Sequence, residues 1–252
     1  EDYPLEEIRE RIDWSPFFAA WEMKGSYPKI FESQKYGKEA KKLFDDAQKL
    51  LDQIIVDKRL TARAVIGFFP ANSIGDDIEV YTGENRETVL TIIHTLRQQM
   101  KRDGDRANFA LADFIAPKKS GKKDYIGGFA VTAGIGVEEM VKAFEKDHDD
   151  YNAILTKAAA DRLAEGFAEL MHERTRKEFW KYAPDENFSN EELIKESYRG
   201  IRPAPGYPAC PDHTEKPALF ELLNATAATG IELTETHAMY PAASVSLSLI
   251  HI

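Results

Sequence analysis

Apolar residues recur at helical spacing along two long parts of the chain. In residues 40–55 they fall every three or four positions and form one stripe, which predicts an amphipathic helix. A similar pattern over residues 151–182 predicts the longest helix, which Pro184 would end. Shorter helices are predicted with Ser15 as N-cap and Pro16 as the first helical residue, at 138–147, from the capping box of Ser189 and Glu192, and at 219–223.

Between these helices, β-branched and apolar runs predict strands. Residues 64–69 form a buried run that ends at Pro70, and residues 78–81 and 88–93 flank a glycine turn as a hairpin would. Helices and strands mix without a βαβ rhythm, which indicates the α+β class with a largely antiparallel sheet. Further strands are predicted at 109–115, 125–132 and 234–249.

The charge balance argues against two classes of partner. The 252 residues include 33 lysines and arginines against 43 aspartates and glutamates, which gives a formal net charge of −10. This acidic balance argues against binding to nucleic acids, which normally requires a basic face, and against docking on an anionic membrane. No run of 18 apolar residues and no secretory signal is found, and the single cysteine, Cys210, cannot form a disulfide within the chain. We therefore expect a cytoplasmic protein.

The loop at residues 201–211 (IRPAPGYPACP) has the most unusual composition in the chain. Its four prolines stiffen the backbone before any ligand arrives, and Gly206 permits a positive φ or a close approach. Arg202 offers a planar fork for a carboxylate, and Tyr207 offers a flat face with a hydroxyl tip. These residues suit a small amphipathic ligand that carries a carboxylate. The alternative is a rigid connector in which Arg202 makes a surface ion pair.

Three acids lie four positions apart on the longest predicted helix: Asp161, Glu165 and Glu169. Residues at this spacing share one stripe, and like charges there repel mildly. A solvated helix face accounts for the pattern most simply. The alternative is that one or two of these carboxylates face a cleft and attract a cation.

No catalytic motif and no metal site are predicted. The sequence contains neither a phosphate-binding glycine loop nor a nucleophile motif, so no catalytic residue is assigned. Cys210, Asp212 and His213 are too cramped to favour a metal site, and we expect Asp212 to cap the helix that follows.

Residues 202–216 (RPAPGYPACPDHTEK) closely resemble the signature of the S-adenosylmethionine-binding activation domain of cobalamin-dependent methionine synthase. The family's short motif, Arg-x-x-x-Gly-Tyr, is met by Arg202, Gly206 and Tyr207. The resemblance covers nearly the whole chain. Other matching segments follow in the family's order, at 12–14, 69–72, 75–81, 96–99, 113–117 and 189–193.

The resemblance implies a single bent α+β domain, with a twisted antiparallel sheet surrounded by helices. It also implies a domain that binds S-adenosylmethionine and presents its methyl group for reductive remethylation of cob(II)alamin. In the family, the parent enzyme transfers a methyl group from methyltetrahydrofolate to homocysteine. The implied partners are the cobalamin-binding domain of the same parent chain and flavodoxin or a flavoprotein reductase.

The family's ligand contacts carry over to Asp13, Glu165, Arg202, Ala204, Gly206 and Tyr207. By resemblance, Asp13 binds the methionyl amino group and Arg202 holds the methionyl carboxylate. The backbone around Ala204 and Gly206 receives the adenosyl part. Glu165 faces the polar or cationic side of the ligand.

Two residues are expected, by the same resemblance, to contact the cobalamin-binding domain. Tyr207 lies where the loop meets the corrin. Asp161 is a candidate partner for the neighbouring domain's cobalt-ligating histidine when that histidine leaves the metal.

The last six residues depart from the family pattern. The family continues past Ser246 into an aromatic strand and a lid, whereas here residues 247–252 read LSLIHI. We therefore divide the chain into an S-adenosylmethionine-binding activation domain at 1–246 and a non-family tail at 247–252, as expected of a C-terminally truncated fragment. This division predicts weaker ligand binding and an edge strand with exposed apolar groups.

Two alternative functions come from other classes. One is a docking module for flavodoxin or a flavoprotein reductase that has lost ligand binding. The other is a hydrolase that uses Asp161 and Glu165 and turns over without cobalamin.

Overall fold

The computed structural model describes residues 2–101, 104 and 107–251, and Ile252 of the predicted tail lies outside them. Short 3-10 helices lie at Lys29–Glu32, Leu111–Phe114, Lys118–Ser120 and His213–Glu215, and a π-helical turn lies at Thr175–Phe179. The helices are α1 (Leu5–Arg9), α2 (Ser15–Ala20), α3 (Gly37–Val56), α4 (Val137–Lys146), α5 (Asp150–Arg174), α6 (Asn190–Ile194), α7 (Lys216–Leu223) and α8 (Ala225–Thr229). The strands are β1 (Thr61–Ile74), β2 (Asp77–Tyr81), β3 (Val89–His94), β4 (Asp124–Ile135), β5 (Glu232–Leu233), β6 (Met239–Tyr240) and β7 (Ser244–Leu249).

Five of these strands form one antiparallel sheet in the order β3-β2-β1-β4-β7. Strands β2 and β3 form the predicted hairpin, and β5 pairs with β6 in a separate two-stranded ribbon. The predicted α+β class with a largely antiparallel sheet is confirmed.

The long strand β4 is buried on both faces, which explains its uninterrupted apolar sequence. Phe129 and Val131 face the core formed with α5, whereas Ala130 between them packs against α7. On that second face, a Cβ on Gly128 would lie 2.6 Å from Leu219 Cδ1. The missing side chain therefore lets α7 approach the sheet closely.

Helix α5 is the central support of the molecule. Its N-cap, Asp149, accepts a hydrogen bond from the backbone N–H of Asn152 at 3.0 Å. The helix packs on β4 and β7 on one side and on α1, α2, α3 and α4 on the others. Because so many elements surround α5, most of its C-terminal half is buried. No helix within the described ranges is both long and apolar enough to cross a membrane.

The strand predicted at residues 109–115 is wrong, because residues 111–114 form a 3-10 helix. The Asp113 carboxylate accepts the backbone N–H of Ala110 at 2.9 Å and also two hydrogen bonds from Arg97, at 2.6 and 2.8 Å. Such a side-chain bond to nearby backbone favours a turn over a strand. Strand structure in the run at 234–249 is likewise limited to β6 and β7.

The expectation that the end of the chain exposes apolar groups is also wrong. Strand β7 crosses the boundary predicted at residue 246 without a break, and Leu249 and Ile250 are fully buried. Its outer edge is covered by the proline-rich loop, where Ile201 and Ile250 exchange backbone hydrogen bonds of 2.8 and 3.0 Å. This pairing satisfies an edge that would otherwise be open.

Candidate ligand-binding site

The proline-rich loop is held in place by strand β7. Besides the exchange between Ile201 and Ile250, the backbone N–H of Ser248 donates to the carbonyl of Pro203 at 2.9 Å. Further along, the N–H of Gly206 donates to the Cys210 carbonyl at 2.7 Å, which closes the loop on itself. The backbone of the predicted motif is therefore fixed at both ends.

Gly206 has φ = +101°, in the left-handed region that the sequence suggested. A Cβ at this position would lie 2.3 Å from Cε1 of the His213 ring. The glycine therefore permits both the turn and the packing of the imidazole against it. Gly206 does not line either of the cavities described next, so its contribution is to the shape of the loop.

Two cavities lie side by side next to this loop, and Glu165 and Arg202 line both of them. The pair is here named the joined cavities. One, of ≈ 420 Å³, is here named the loop cavity, and the other, of ≈ 300 Å³, is named the arginine cavity. The loop cavity is lined by Glu165, Glu196, residues 202–205, Tyr207, Lys216, Met239 and residues 244–247. The arginine cavity is lined by Arg11, Asp13, Pro16, Arg162, Glu165, Glu169, Ile194 and Arg202.

The arginine cavity is a balanced arrangement of cations and carboxylates. Its three arginines, Arg11, Arg162 and Arg202, each form an ion pair with a carboxylate of α5: Glu173 at 2.9 Å, Asp161 at 2.6 Å and Glu169 at 2.6 Å. A wall with both signs of charge is suited to a zwitterion, whose ammonium and carboxylate each find an opposite charge.

Asp13 and Glu165 bring carboxylates to this cavity from two elements. Asp13 precedes α2, and its Oδ1 accepts the backbone N–H of Ser15 at 2.9 Å, which fixes the side chain. Ser15 itself is the first residue of α2, and Trp14, not the predicted Ser15, is its N-cap. Glu165 is exposed on α5 and, within the described part of the chain, has no ion-pair partner. Both carboxylates are thus suited to receive an ammonium group.

The loop cavity is more apolar and ends at an exposed aromatic ring. Ala204 lies on its wall, and Tyr207 is 66 % exposed at its mouth. Lys216 is buried there, where its Nζ donates to the His237 carbonyl at 2.9 Å and burial lowers its pKa. The hydroxyl of Ser246 is buried in the same wall without a hydrogen-bond partner among the described residues. Together with Glu165, Glu196 and Arg202, these groups offer polar contacts along a wall that also contains apolar side chains.

The acidic stripe of α5 is divided by the fold. Asp161 lines a separate ≈ 720 Å³ cavity with Lys157 and Glu145, while Glu165 lines the two cavities above. Glu169, which a solvated face would expose, is only 5 % exposed. Asp161 and Glu165 therefore do not face one common cavity, as a hydrolase that uses both carboxylates would require.

Behind the arginine cavity lies a buried polar layer that the sequence did not suggest. Arg176 is fully buried and forms a bidentate ion pair with Glu186, at 2.6 to 2.9 Å. The His172 ring packs edge-on against Tyr198, with ring centroids 4.8 Å apart. Burial lowers the pKa of His172 to about 2, so the imidazole is neutral.

Several residues of the site were not predicted from the sequence. Arg11 and Arg162 are single basic residues with no motif around them, and only the fold brings them to the arginine cavity. Lys216 ends the segment 202–216, but no role was assigned to it from the sequence. Glu169 belonged to the acidic stripe, but the pattern did not reveal which member is buried. Among the described residues, no group of three histidine, cysteine or acidic side chains could hold a metal ion.

The molecule is thus an α+β domain with a candidate small-molecule site in two adjacent cavities that share Glu165 and Arg202. Residues 4–251 match the family model for the activation domain of vitamin B12 dependent methionine synthase, and the match extends past residue 246. The crystal structure of the MetH reactivation domain bound to AdoHcy is 55% identical in sequence and has a TM-score of 0.96. That alignment covers 100% of this chain and 77% of the other. The chain therefore belongs to the family of vitamin B12-dependent methionine synthase activation domains.

Proposed function

We propose that this domain binds S-adenosylmethionine in the joined cavities and presents its methyl group for the reductive remethylation of cob(II)alamin. The observation that carries the proposal is the sharing of Glu165 and Arg202 by a zwitterion-lined cavity and a more apolar one. S-adenosylmethionine has the same division, with an amino acid at one end and a nucleoside at the other. A family relative in complex with AdoHcy, the demethylated form of this ligand, supports the assignment.

The amino-acid end of the ligand would lie in the arginine cavity. Arg202 would bind the carboxylate through its guanidinium, while Asp13 and Glu165 would accept hydrogen bonds from the ammonium group. Because Glu165 also borders the loop cavity, it lies near the position that the sulfonium would occupy. A carboxylate beside that position favours the cationic donor over its neutral product.

The adenosyl end would lie in the loop cavity. The backbone around Ala204 would receive it, and Gly206 would act through the shape that it gives to the loop. The loop is already stiff before the ligand binds. Binding therefore costs little of the loop's conformational entropy.

Cobalamin, held by the neighbouring domain of the parent enzyme, would supply the metal nucleophile, and flavodoxin or a flavoprotein reductase would supply the electron. In this domain the exposed Tyr207 is suited to contact the corrin, and Asp161 to contact the cobalamin-binding domain. The leaving group is a neutral thioether, so no side chain here has to act as an acid or a base. The role of the domain is to bind and orient the donor.

The proposal is tested by methyl transfer in trans. The chain is mixed with a cobalamin-binding fragment of the enzyme, reduced flavodoxin and methyl-labelled S-adenosylmethionine. We expect the label to appear in the cobalamin fraction only when the chain is present, and Arg202→Ala to abolish most of this transfer. Arg63→Ala is the matched control, because Arg63 pairs with Asp2 at 2.8 Å and lines neither cavity. Equal transfer with and without the chain would contradict the proposal.

A further inference from the structure

Glu169 stands directly behind the arginine of the loop motif. It projects from α5, and its Oε2 accepts a hydrogen bond from Arg202 Nη2 at 2.6 Å. The side chain of Glu169 is 7% exposed and that of Arg202 is 22% exposed, so the carboxylate lies on the inner side of the pair. The two residues are 33 positions apart in sequence, and this ion pair links the loop to the central helix.

The bond to Glu169 uses Nη2 of the guanidinium, and the Arg202 side chain keeps 22% of its surface exposed. Arg202 Nη1 is buried and has no hydrogen-bond partner among the described residues. Since Arg202 lines both cavities, a ligand carboxylate can approach the guanidinium while Nη2 stays bound to Glu169. The arrangement therefore favours a fixed arginine over one that must leave its partner to bind.

The burial of Glu169 and the charges near it favour its ion pair with Arg202. Burial raises the pKa of the Glu169 carboxyl, whereas the positive charges of Arg202 and Arg176 lower it. The ring of His172, about one turn further along α5, is neutral, and its two nitrogens have no hydrogen-bond partner within the described chain. Among the described residues, Arg202 is thus the one cation with a hydrogen bond to the Glu169 carboxylate, and breaking that bond would leave a buried carboxylate without a hydrogen-bonded cation.

We propose that Glu169 is a positioning residue that fixes the Arg202 guanidinium for the carboxylate of the ligand. This inference rests on the proposed binding of S-adenosylmethionine. It adds a residue that acts through Arg202 and need not touch the ligand. Because a pre-oriented fork loses less side-chain entropy on binding, the effect is confined to ligands that carry the carboxylate.

The test compares two ligands that differ only in that carboxylate: S-adenosylhomocysteine and its decarboxylated form. Calorimetric titration of Glu169→Gln is expected to show S-adenosylhomocysteine binding weakened about tenfold. The decarboxylated ligand should keep its affinity within about twofold. In the Arg202→Ala background, Glu169→Gln should change the affinity for S-adenosylhomocysteine by less than about twofold, because the positioned group is gone.

Two further variants keep the test decisive. Glu186→Gln breaks another buried carboxylate–arginine pair, with Arg176, and is expected to lower stability without changing either affinity. If Glu169→Gln does not fold, Glu169→Asp retains the charge at a longer distance and should weaken only the carboxylate-bearing ligand.

Three outcomes would overturn the inference: equal weakening of both ligands, unchanged affinity for S-adenosylhomocysteine, or tighter binding. Tighter binding would mean that Glu169 competes with the ligand for Arg202. If the unmodified chain binds neither ligand, it is the proposed function that fails.

Discussion

At the scale of single residues, Arg202 has two partners to satisfy. It holds Glu169 on one side, and we propose that it binds the ligand carboxylate on the other. Its loss would therefore remove a ligand contact and also leave a buried carboxylate unpaired. The two effects can be measured separately, because one depends on ligand and the other does not.

We expect Arg202→Ala to weaken S-adenosylmethionine binding by about 2–4 kcal/mol, because the carboxylate loses a charged hydrogen-bonding fork. The same change should lower the free energy of unfolding by roughly 2–4 kcal/mol, since Glu169 remains buried without its partner. Calorimetric titration measures the first and urea unfolding the second. A binding loss under about 0.5 kcal/mol would remove Arg202 from the site.

Gly206→Val tests whether the left-handed turn matters for binding. Valine is strained at φ = +101°, and its Cβ would also displace the His213 ring. We expect the loop to shift and the affinity for S-adenosylmethionine to fall at least about tenfold, while circular dichroism shows the fold retained.

The matched control is Gly121→Val. Gly121 also has a positive φ, of 69°, but apart from its chain neighbours no atom of the described residues lies within 4 Å of the added Cβ. This control should bear the backbone strain without losing affinity. An unfolded Gly206→Val protein would show instead that the glycine is needed for the fold and not only for the loop.

Some of these residues could be predicted from the sequence because they lie close together in it, and others could not because their contacts join distant parts of the chain. Arg202, Gly206 and Tyr207 form a continuous motif, so composition and resemblance both led to them. The burial of Glu169 depends on packing between α5 and a loop 33 residues away, which no local pattern records. For the same reason, the acidic stripe predicted a shared helix face but not its division between cavities.

At the scale of elements, strand β7 and the proline-rich loop support each other. The loop covers the open edge of the sheet, and the edge fixes the backbone of the loop. The sequence of residues 247–252 by itself predicts an exposed apolar strand. Ile250 pairs with Ile201, 49 residues earlier in the chain (250 − 201), and the periodicity of the tail carries no information about this partner.

Ser248→Pro tests this support at one hydrogen bond. The Ser248 N–H donates to Pro203 and points away from β4, so proline removes the bond to the loop and spares the ladder with β4. We expect S-adenosylmethionine binding to weaken roughly three- to tenfold while most secondary structure remains. Ser248→Ala keeps the N–H and should bind normally. Equal affinities in the two variants would mean that the loop does not depend on this edge.

At the scale of the whole molecule, the buried polar layer makes stability depend on pH. The pKa of His172 falls from its ordinary value of 6.5 to about 2 in the fold. Between these values the unfolded chain binds a proton that the folded chain does not, so stability is full above pH 6.5 and is lost as the pH falls. Glu169, whose pKa is raised by burial, acts in the opposite sense.

His172→Phe separates this contribution from those of the carboxylates. Phenylalanine keeps a ring against Tyr198 and removes two buried nitrogens that lack partners among the described residues. Between about pH 6 and 4, the unmodified protein should lose roughly 1 kcal/mol per pH unit more than the variant in urea unfolding. Parallel pH profiles would show that His172 is protonated in the fold or hydrated there. Glu169 is present in both proteins, so it does not affect the difference.

The central claim is that the joined cavities bind S-adenosylmethionine, and calorimetric titration of the unmodified chain tests it most directly. The account predicts saturable one-to-one binding of S-adenosylmethionine, competition by S-adenosylhomocysteine, and loss of most of the affinity in Arg202→Ala. A chain that is folded by circular dichroism and binds neither ligand, or that binds both equally well without Arg202, would contradict it.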